Sequence, residues 1–267
     1  MIQGAVTRER MRKWKLQSPE EYGFHKVAVP GREDCQAVAV YRLNLAAGQS
    51  YELRPDGEEM SCVCIKGQAA VGLAGQTCDC RRFDSFYTAG GHAARIQAGT
   101  ECIFYIGAAV DEGYGKPFFR AFDRQQPLGE IRQIHGKGVG RREVFMTLNQ
   151  EMPASRLITG LTWSANGAWT SWPPHQHEAD LEEAYCYFDM DEPHFGLHLS
   201  YMEPGDVDNI AAHPVSSGSV VLAPRGYHPT AASPGTKNAY FWVLAAHCHE
   251  SRSYDLAVLD PERAQMN

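Results

Sequence analysis

No apolar run in this 267-residue chain approaches the roughly 18–20 residues that a membrane-spanning helix needs. The opening residues also lack the apolar core of a secretion signal, so the expectation is a cytoplasmic protein with no membrane partner. Basic residues are in the minority. Twenty-five Lys and Arg stand against 32 Asp and Glu, a net charge of −7, which gives no electrostatic footprint for nucleic acid. An anionic substrate would have to be attracted locally. No helix-turn-helix pattern is present, which argues against a DNA-binding sensor. The glycines of Gly136-x-Gly138-x-Gly140 lack the strand–helix setting of a dinucleotide fingerprint and read as a flexible basic turn. A second reading gives Lys137, Arg141 or Arg142 a role in reaching a substrate carboxylate.

What the chain does have is β rhythm. Hydrophobic content of 43% and charged content of 21% describe an ordinary globular protein. Short stretches of period-two character recur at 37–45, 60–65, 69–73, 85–87, 94–98 and 101–107, and again at 143–148, 156–162, 183–188, 196–199, 220–223 and 240–245. Turns such as Ala47-Gly48, Pro55-Asp56-Gly57 and Ala74-Gly75 punctuate them. This is the pattern of an all-β protein made of sandwiches or jelly-roll barrels. Residues 110–127 read as a linker, giving an N-terminal domain over 1–125 and a C-terminal domain over 126–267. The basic opening (Arg8, Arg10, Arg12, Lys13, Lys15) reads as a solvated helix face. Of eight cysteines, Cys62-x-Cys64 and Cys78-x-Cys80 invite a thiolate zinc site, but their spacing and β context favour small thiols packed as hydrophobes. Cys186 reads as core in the same way.

The chemistry is concentrated in Pro173-Pro174-His175-Gln176-His177, followed by Glu182-Glu183 and later by Pro224-Arg225-Gly226-Tyr227-His228. Side chains alternate faces along a strand, so His175 and His177 project to one side. A nearby carboxylate and a histidine from a neighbouring strand complete a set of three imidazoles and one carboxylate. Such a set suits Zn, Fe, Mn, Ni or Cu and leaves positions open for substrate. If Glu183, Tyr185 and Tyr187 share the inward face, Glu183 is the ligand, and Glu182 points away or orients a ligand imidazole. The first half has no histidine around 49–53, and His92 stands alone in Ala89-Gly90-Gly91-His92, so its barrel is expected to carry no metal. His194, His198, His213, His247 and His249 read as surface or packing residues.

These motifs resemble the two signatures of the cupin superfamily. More narrowly, Trp172–His177, Leu181-Glu182-Glu183-x-Tyr185-x-Tyr187, Phe195-Gly196 and Pro224–Pro229 resemble the 5-deoxy-glucuronate isomerase family. Gly160-Leu161-Thr162 and Glu183–Met190 are also similar to the sister family, 5-keto-4-deoxyuronate isomerase. The resemblance implies a bicupin, two tandem jelly-roll β-barrels, with a divalent transition metal (zinc favoured; manganese, iron or nickel possible) on His175, His177, Glu183 and His228. It implies an aldose–ketose isomerase that turns 5-deoxy-D-glucuronate into 2-deoxy-5-keto-D-gluconate in inositol catabolism. Glu182, Tyr185 and Tyr187 are the candidates for proton transfer, and Arg225 and Tyr227 for holding the sugar acid. Other uronates are the alternative substrates, and an oxygen-using cupin dioxygenase or a non-catalytic sugar-binding cupin the alternative class. Sheet-to-sheet pairing of cupins leads to the expectation of a homo-oligomer.

Overall fold

Short strands with one buried face must find a second sheet to cover them, and this chain does so twice. A computed structural model describes residues 5–265, nearly all of them in strands, turns and loops. Among the described residues no helix is long and apolar enough to cross a membrane.

In the first half, a six-stranded sheet runs in the order Phe118–Arg120, Ser85–Thr88, Glu58–Lys66, Cys102–Val110, Ala39–Leu45, Gly23–Ala28. It is covered by a four-stranded sheet of Ser50–Leu53, Ala94–Ala98, Gln68–Leu73 and Gln76–Arg81. In the second half, a seven-stranded sheet runs Lys15–Gln17, Ser219–Ala223, Leu181–Tyr187, Lys237–Ala246, Leu157–Asn166, Arg142–Leu148, Arg132–His135. Its four-stranded cover is Trp169–Thr170, Thr230–Ala232, Gly196–Ser200 and Ala211–Val215. Neighbouring strands pair antiparallel throughout both halves.

Several short strands fall outside the sequence expectation, and two of them bear on the expected domain boundary. The stretch read as a linker contains Phe118–Arg120, which extends the first sheet beside Ser85–Thr88. Three half-buried residues are too few to show a period. Lys15–Gln17 pairs with Ser219–Ala223 in the second half, so the N-terminal segment crosses the expected boundary. The basic opening does form a helix, Arg8–Arg12, with Arg8, Arg12 and Lys13 exposed and Arg10 paired to Asp34 at 2.7 Å.

Three cores result. The first barrel is filled by apolar side chains such as Leu43, Val71, Ile96 and Phe104, with Cys62, Cys64, Cys80 and Cys102 packed among them. The second barrel is lined by larger aromatic groups, including Tyr185, Tyr187, Tyr240 and Trp242. The third core lies between the two large sheets, where Val63 and Tyr105 meet Ala184, Cys186, Phe241 and Val243. Gly107 permits this approach, since a Cβ there would lie 2.6 Å from the Val243 methyl groups.

Two buried carboxylates tie the barrels together reciprocally. Each is the second residue of its strand. Glu182, on Leu181–Tyr187, accepts the backbone N–H groups of Gln36 and Ala37 at 2.8 Å and of Val38 at 3.2 Å, just ahead of strand Ala39–Leu45. Glu59, on Glu58–Lys66, accepts those of Ser155 and Leu157 at 2.6 Å and of Arg156 at 2.5 Å, and the Tyr87 hydroxyl as well. Burial pushes the Glu59 pKa up, and these donors oppose it. Glu182 thus points away from the ligands, one of the two readings given for it, and its role in orienting an imidazole or moving a proton is corrected. Alternation turns it out of its own barrel and onto the other one. Glu182→Ala leaves three buried N–H groups bare and should destabilise the protein by about 3–5 kcal/mol. Thermal melting measures that loss, and an unchanged midpoint would refute the pairing.

Candidate metal centre

Alternation along Leu181–Tyr187 sends Leu181, Tyr185 and Tyr187 into the second barrel and Ala184 and Cys186 into the core between the barrels. Glu183 goes inward with the first group, as expected. His175, at the end of a two-residue strand His175–Gln176, and His177, just beyond it, come to the same place. His228 arrives from the turn after Ser219–Ala223. Gly226 in that turn has φ +71°, and a Cβ there would collide with the Tyr201 carbonyl oxygen, so the turn needs glycine.

One ligand-type atom from each of His175, His177, Glu183 and His228 lies within 4.8 Å of all the others. Among the described residues this is where such groups converge. His177 Nε2 and His228 Nε2 each stand 3.1 Å from Glu183 Oε2. Every Nδ1 faces a backbone carbonyl: His175 that of Pro173 at 3.1 Å, His177 that of Leu181 at 3.1 Å, and His228 that of Gly226 at 2.9 Å. The proton is thereby fixed on Nδ1 and the Nε2 lone pairs point at a common centre, which is how protein carbonyls prepare imidazoles for a cation. His228 Nε2 is buried and makes no hydrogen bond among the described residues.

The electrostatics agree. Burial, reinforced by His228 and His177, pushes the His175 pKa down to about 3. Burial alone would raise the Glu183 pKa, but the adjacent His177 and His228 rings outweigh it and hold the carboxyl well below its usual range. A neutral imidazole beside an ionised carboxylate is the protonation state that a metal requires. The donor set and the unpartnered His228 nitrogen thus fit a divalent ion.

The cluster opens into a cavity of about 220 Å³. Its walls include His135, Arg142, Ser171, Tyr185, Tyr240, Trp242 and Tyr254. Arg142 Nη1 is steered by the carbonyls of Trp172 at 2.9 Å and Gly140 at 3.3 Å. His135 lies directly opposite Arg142 across the hairpin whose loop is the Gly-rich turn. Burial and the Arg142 charge lower the His135 pKa, and its Nε2 sits 2.7 Å from Gln133 Oε1, which leaves Nδ1 as the free base. The Tyr185 hydroxyl donates to Glu183 Oε2 at 2.9 Å and is 2.9 Å from Ser171 Oγ. Burial, then the Glu183 charge, keeps that phenol protonated. The C-terminal strand Val258–Leu259 pairs with His175–Gln176, and Ala257 and Leu259 line the mouth.

Of the residues foreseen around the ligands, only Tyr185 lines this cavity. Tyr187 lies deeper, with its hydroxyl 2.8 Å from His198 Nδ1 and 3.0 Å from Thr230 Oγ1. Arg225 borders an outer groove beside Glu178 and His247, and Tyr227 stacks on Tyr201 with ring centroids 5.2 Å apart. Both flank the glycine of the turn, and with His228 directed inward they face away from the cavity, Arg225 half-buried and Tyr227 buried against Tyr201. His198 and His213 are packing residues of the barrel interior, as expected.

Two β-barrels packed sheet to sheet, with one three-histidine, one-carboxylate cluster in the second, make this chain a bicupin. Its fold resembles oxalate decarboxylase from Bacillus subtilis, with a TM-score of 0.60 at 14% identity over 96% of this chain and 80% of that one. The KduI/IolB family model matches residues 15–259, and the chain belongs to that family. It is 29% identical to the 5-deoxy-glucuronate isomerase of Geobacillus kaustophilus, over 85% of this chain and 86% of the relative. The enzyme of the same name from Geobacillus thermodenitrificans is 28% identical, over 85% and 87%. The crystal structure of an IolB-like protein from Salmonella typhimurium superposes with a TM-score of 0.77 at 24% identity, covering 93% of this chain and 97% of that one. The chain is accordingly an isomerase, an intramolecular oxidoreductase of the aldose–ketose type.

Proposed function

We propose that this enzyme converts 5-deoxy-D-glucuronate into 2-deoxy-5-keto-D-gluconate with a divalent metal, in the breakdown of inositol in the cytoplasm. The observation that carries the reading is the juxtaposition of the ligand cluster with Arg142, the one Lys or Arg among the described residues lining the cavity. His175, His177, Glu183 and His228 would hold the ion, with zinc the first candidate and manganese, iron or nickel the others. When bound, such an ion polarises the substrate carbonyl and makes the adjacent C–H more acidic.

The remaining work belongs to the protein. Arg142 offers the planar fork that a carboxylate matches, so it anchors the acid end of the sugar. His135 Nδ1 takes the proton from the carbon beside the carbonyl and returns it to the carbonyl carbon, while the proton of the adjacent hydroxyl passes to the former carbonyl oxygen, so no redox cofactor is needed. Trp242, Tyr240 and Tyr254 give the cavity apolar walls that limit exchange of that proton with water. Eight free cysteines, six of them buried and none in a disulfide, fit a reducing compartment.

The run Phe188-Asp189-Met190, shared with the sister family, supports no change of substrate. Asp189 pairs with Arg82 on the surface, and Phe188 packs in the core between the barrels. The test is an assay of aldose–ketose conversion on 5-deoxy-D-glucuronate and on 5-keto-4-deoxyuronate, with and without chelator. We expect turnover of the first substrate alone and its loss after metal removal, restored by added ion. Preference for the second substrate, or full activity in metal-depleted protein, would overturn the reading.

A further inference from the structure

We propose a second small-molecule site, built on Arg42 in the cleft between the two barrels, whose ligand is a hydroxylated monocarboxylate of the sugar-acid kind. Arg42 lies on strand Ala39–Leu45 and is only 6% exposed, a depth at which an unpaired charge is costly. Its Nε donates to Asn44 Oδ1 at 2.8 Å and its Nη1 to Ser18 Oγ at 2.7 Å, while the Tyr105 ring centroid lies 5.7 Å from the guanidinium carbon. All these partners are neutral. Arg10, Arg132, Arg156 and Arg263 each sit against a carboxylate, but Arg42 does not. A guanidinium carries five N–H donors in a rigid fork. Among the described residues no acceptor pairs with Arg42 Nη2, and the side chain borders a cavity of about 420 Å³.

The fold builds this site from both halves. Ser18 is held by the Gly218 carbonyl, which accepts its N–H at 2.9 Å and its hydroxyl at 2.7 Å. That contact is made where the N-terminal segment crosses to the second barrel. Tyr105, Ile65 and Phe188 give the cavity a buried apolar floor. The charged side chains around it cancel: Arg42, Lys66 and Arg82 against Glu20, Asp189 and Asp191. Lys66 already pairs with Glu101 at 3.0 Å, and Arg82 with Asp189. A multiply charged phosphate ester gains nothing from such a rim. A single carboxylate meets the open edge of Arg42, its hydroxyl groups donate to Glu20 and Asp191, and its C–H faces lie on the aromatic floor.

The test is calorimetric titration of the metal-loaded full chain with D-gluconate, which has the carboxylate and hydroxyls but no carbonyl to isomerise. We expect Arg42→Gln to lose one equivalent of bound gluconate that Arg142→Gln, altered only in the metal cavity, retains. Equal stoichiometry in wild type and Arg42→Gln would overturn the site, as would a single equivalent abolished by Arg142→Gln alone. If circular dichroism shows Arg42→Gln unfolded, Lys66→Glu at the exposed rim replaces it. That variant should weaken the second equivalent at least tenfold, and an unchanged affinity overturns the site. Inorganic phosphate is expected not to displace this gluconate, and displacement at equal concentration would overturn the assignment to a monocarboxylate.

Discussion

His177→Ala should remove the metal and the isomerase activity together, with turnover falling about a thousandfold or more. His177 supplies one of three imidazole nitrogens and stands against Glu183, so its loss opens the cluster and frees the carboxylate at its centre. Two imidazoles on separate segments retain a divalent ion poorly. The check is metal content per chain alongside activity, with circular dichroism confirming that the barrels persist. Glu182→Ala is the informative companion. It lies one residue from Glu183 but faces the other barrel, so it should lower the melting temperature and keep its metal. Activity surviving in His177→Ala, or metal loss of equal depth in Glu182→Ala, would contradict the centre described above.

Arg142→Gln should retain the ion and lower kcat/KM by about 10²–10³, chiefly through KM, because it removes the charge that meets the substrate carboxylate. A second readout follows from His135. Burial depresses the pKa of this imidazole first, and the positive charge of Arg142 adds to it. Removing that charge lets the pKa rise, so a larger share of His135 is protonated at a given pH. The acid limb of the pH–rate profile should therefore move to higher pH. A merely structural arginine would move stability but not that limb. A variant with unaltered KM and an unaltered acid limb would remove Arg142 from substrate binding.

The legible parts of the sequence were those in which a few residues specify their own geometry. His175 and His177 declare a shared face by their spacing, and Pro224–His228 contains the glycine that its turn demands. Glu183 follows from alternation with Tyr185 and Tyr187. The same alternation turns Glu182 away from the ligands but does not say onto what, because what lies behind a strand depends on a second barrel whose contact begins some 145 residues earlier, at Gln36–Val38. The cavity walls were hidden for a related reason. His135, Ser171, Tyr240 and Tyr254 come from four separate segments and meet only when the sheet closes. One signal was present: His135 and Arg142 flank a Gly-rich turn symmetrically, which makes them cross-strand neighbours on one face. Lys15–Gln17 and Phe118–Arg120, at three residues each, are too short for any periodicity to register.

The crossed carboxylates also bear on why the first barrel, in which no metal-type cluster occurs among the described residues, persists beside the second. Cutting the molecule between the barrels would strand Glu59 and Glu182 on one side each and leave six amide hydrogens without acceptors, three per fragment. The barrel that carries the His175–His177–Glu183–His228 cluster borrows the rigidity of its backing strand from its neighbour, so substitutions around Gln36–Val38 should reach the cluster through mechanical support.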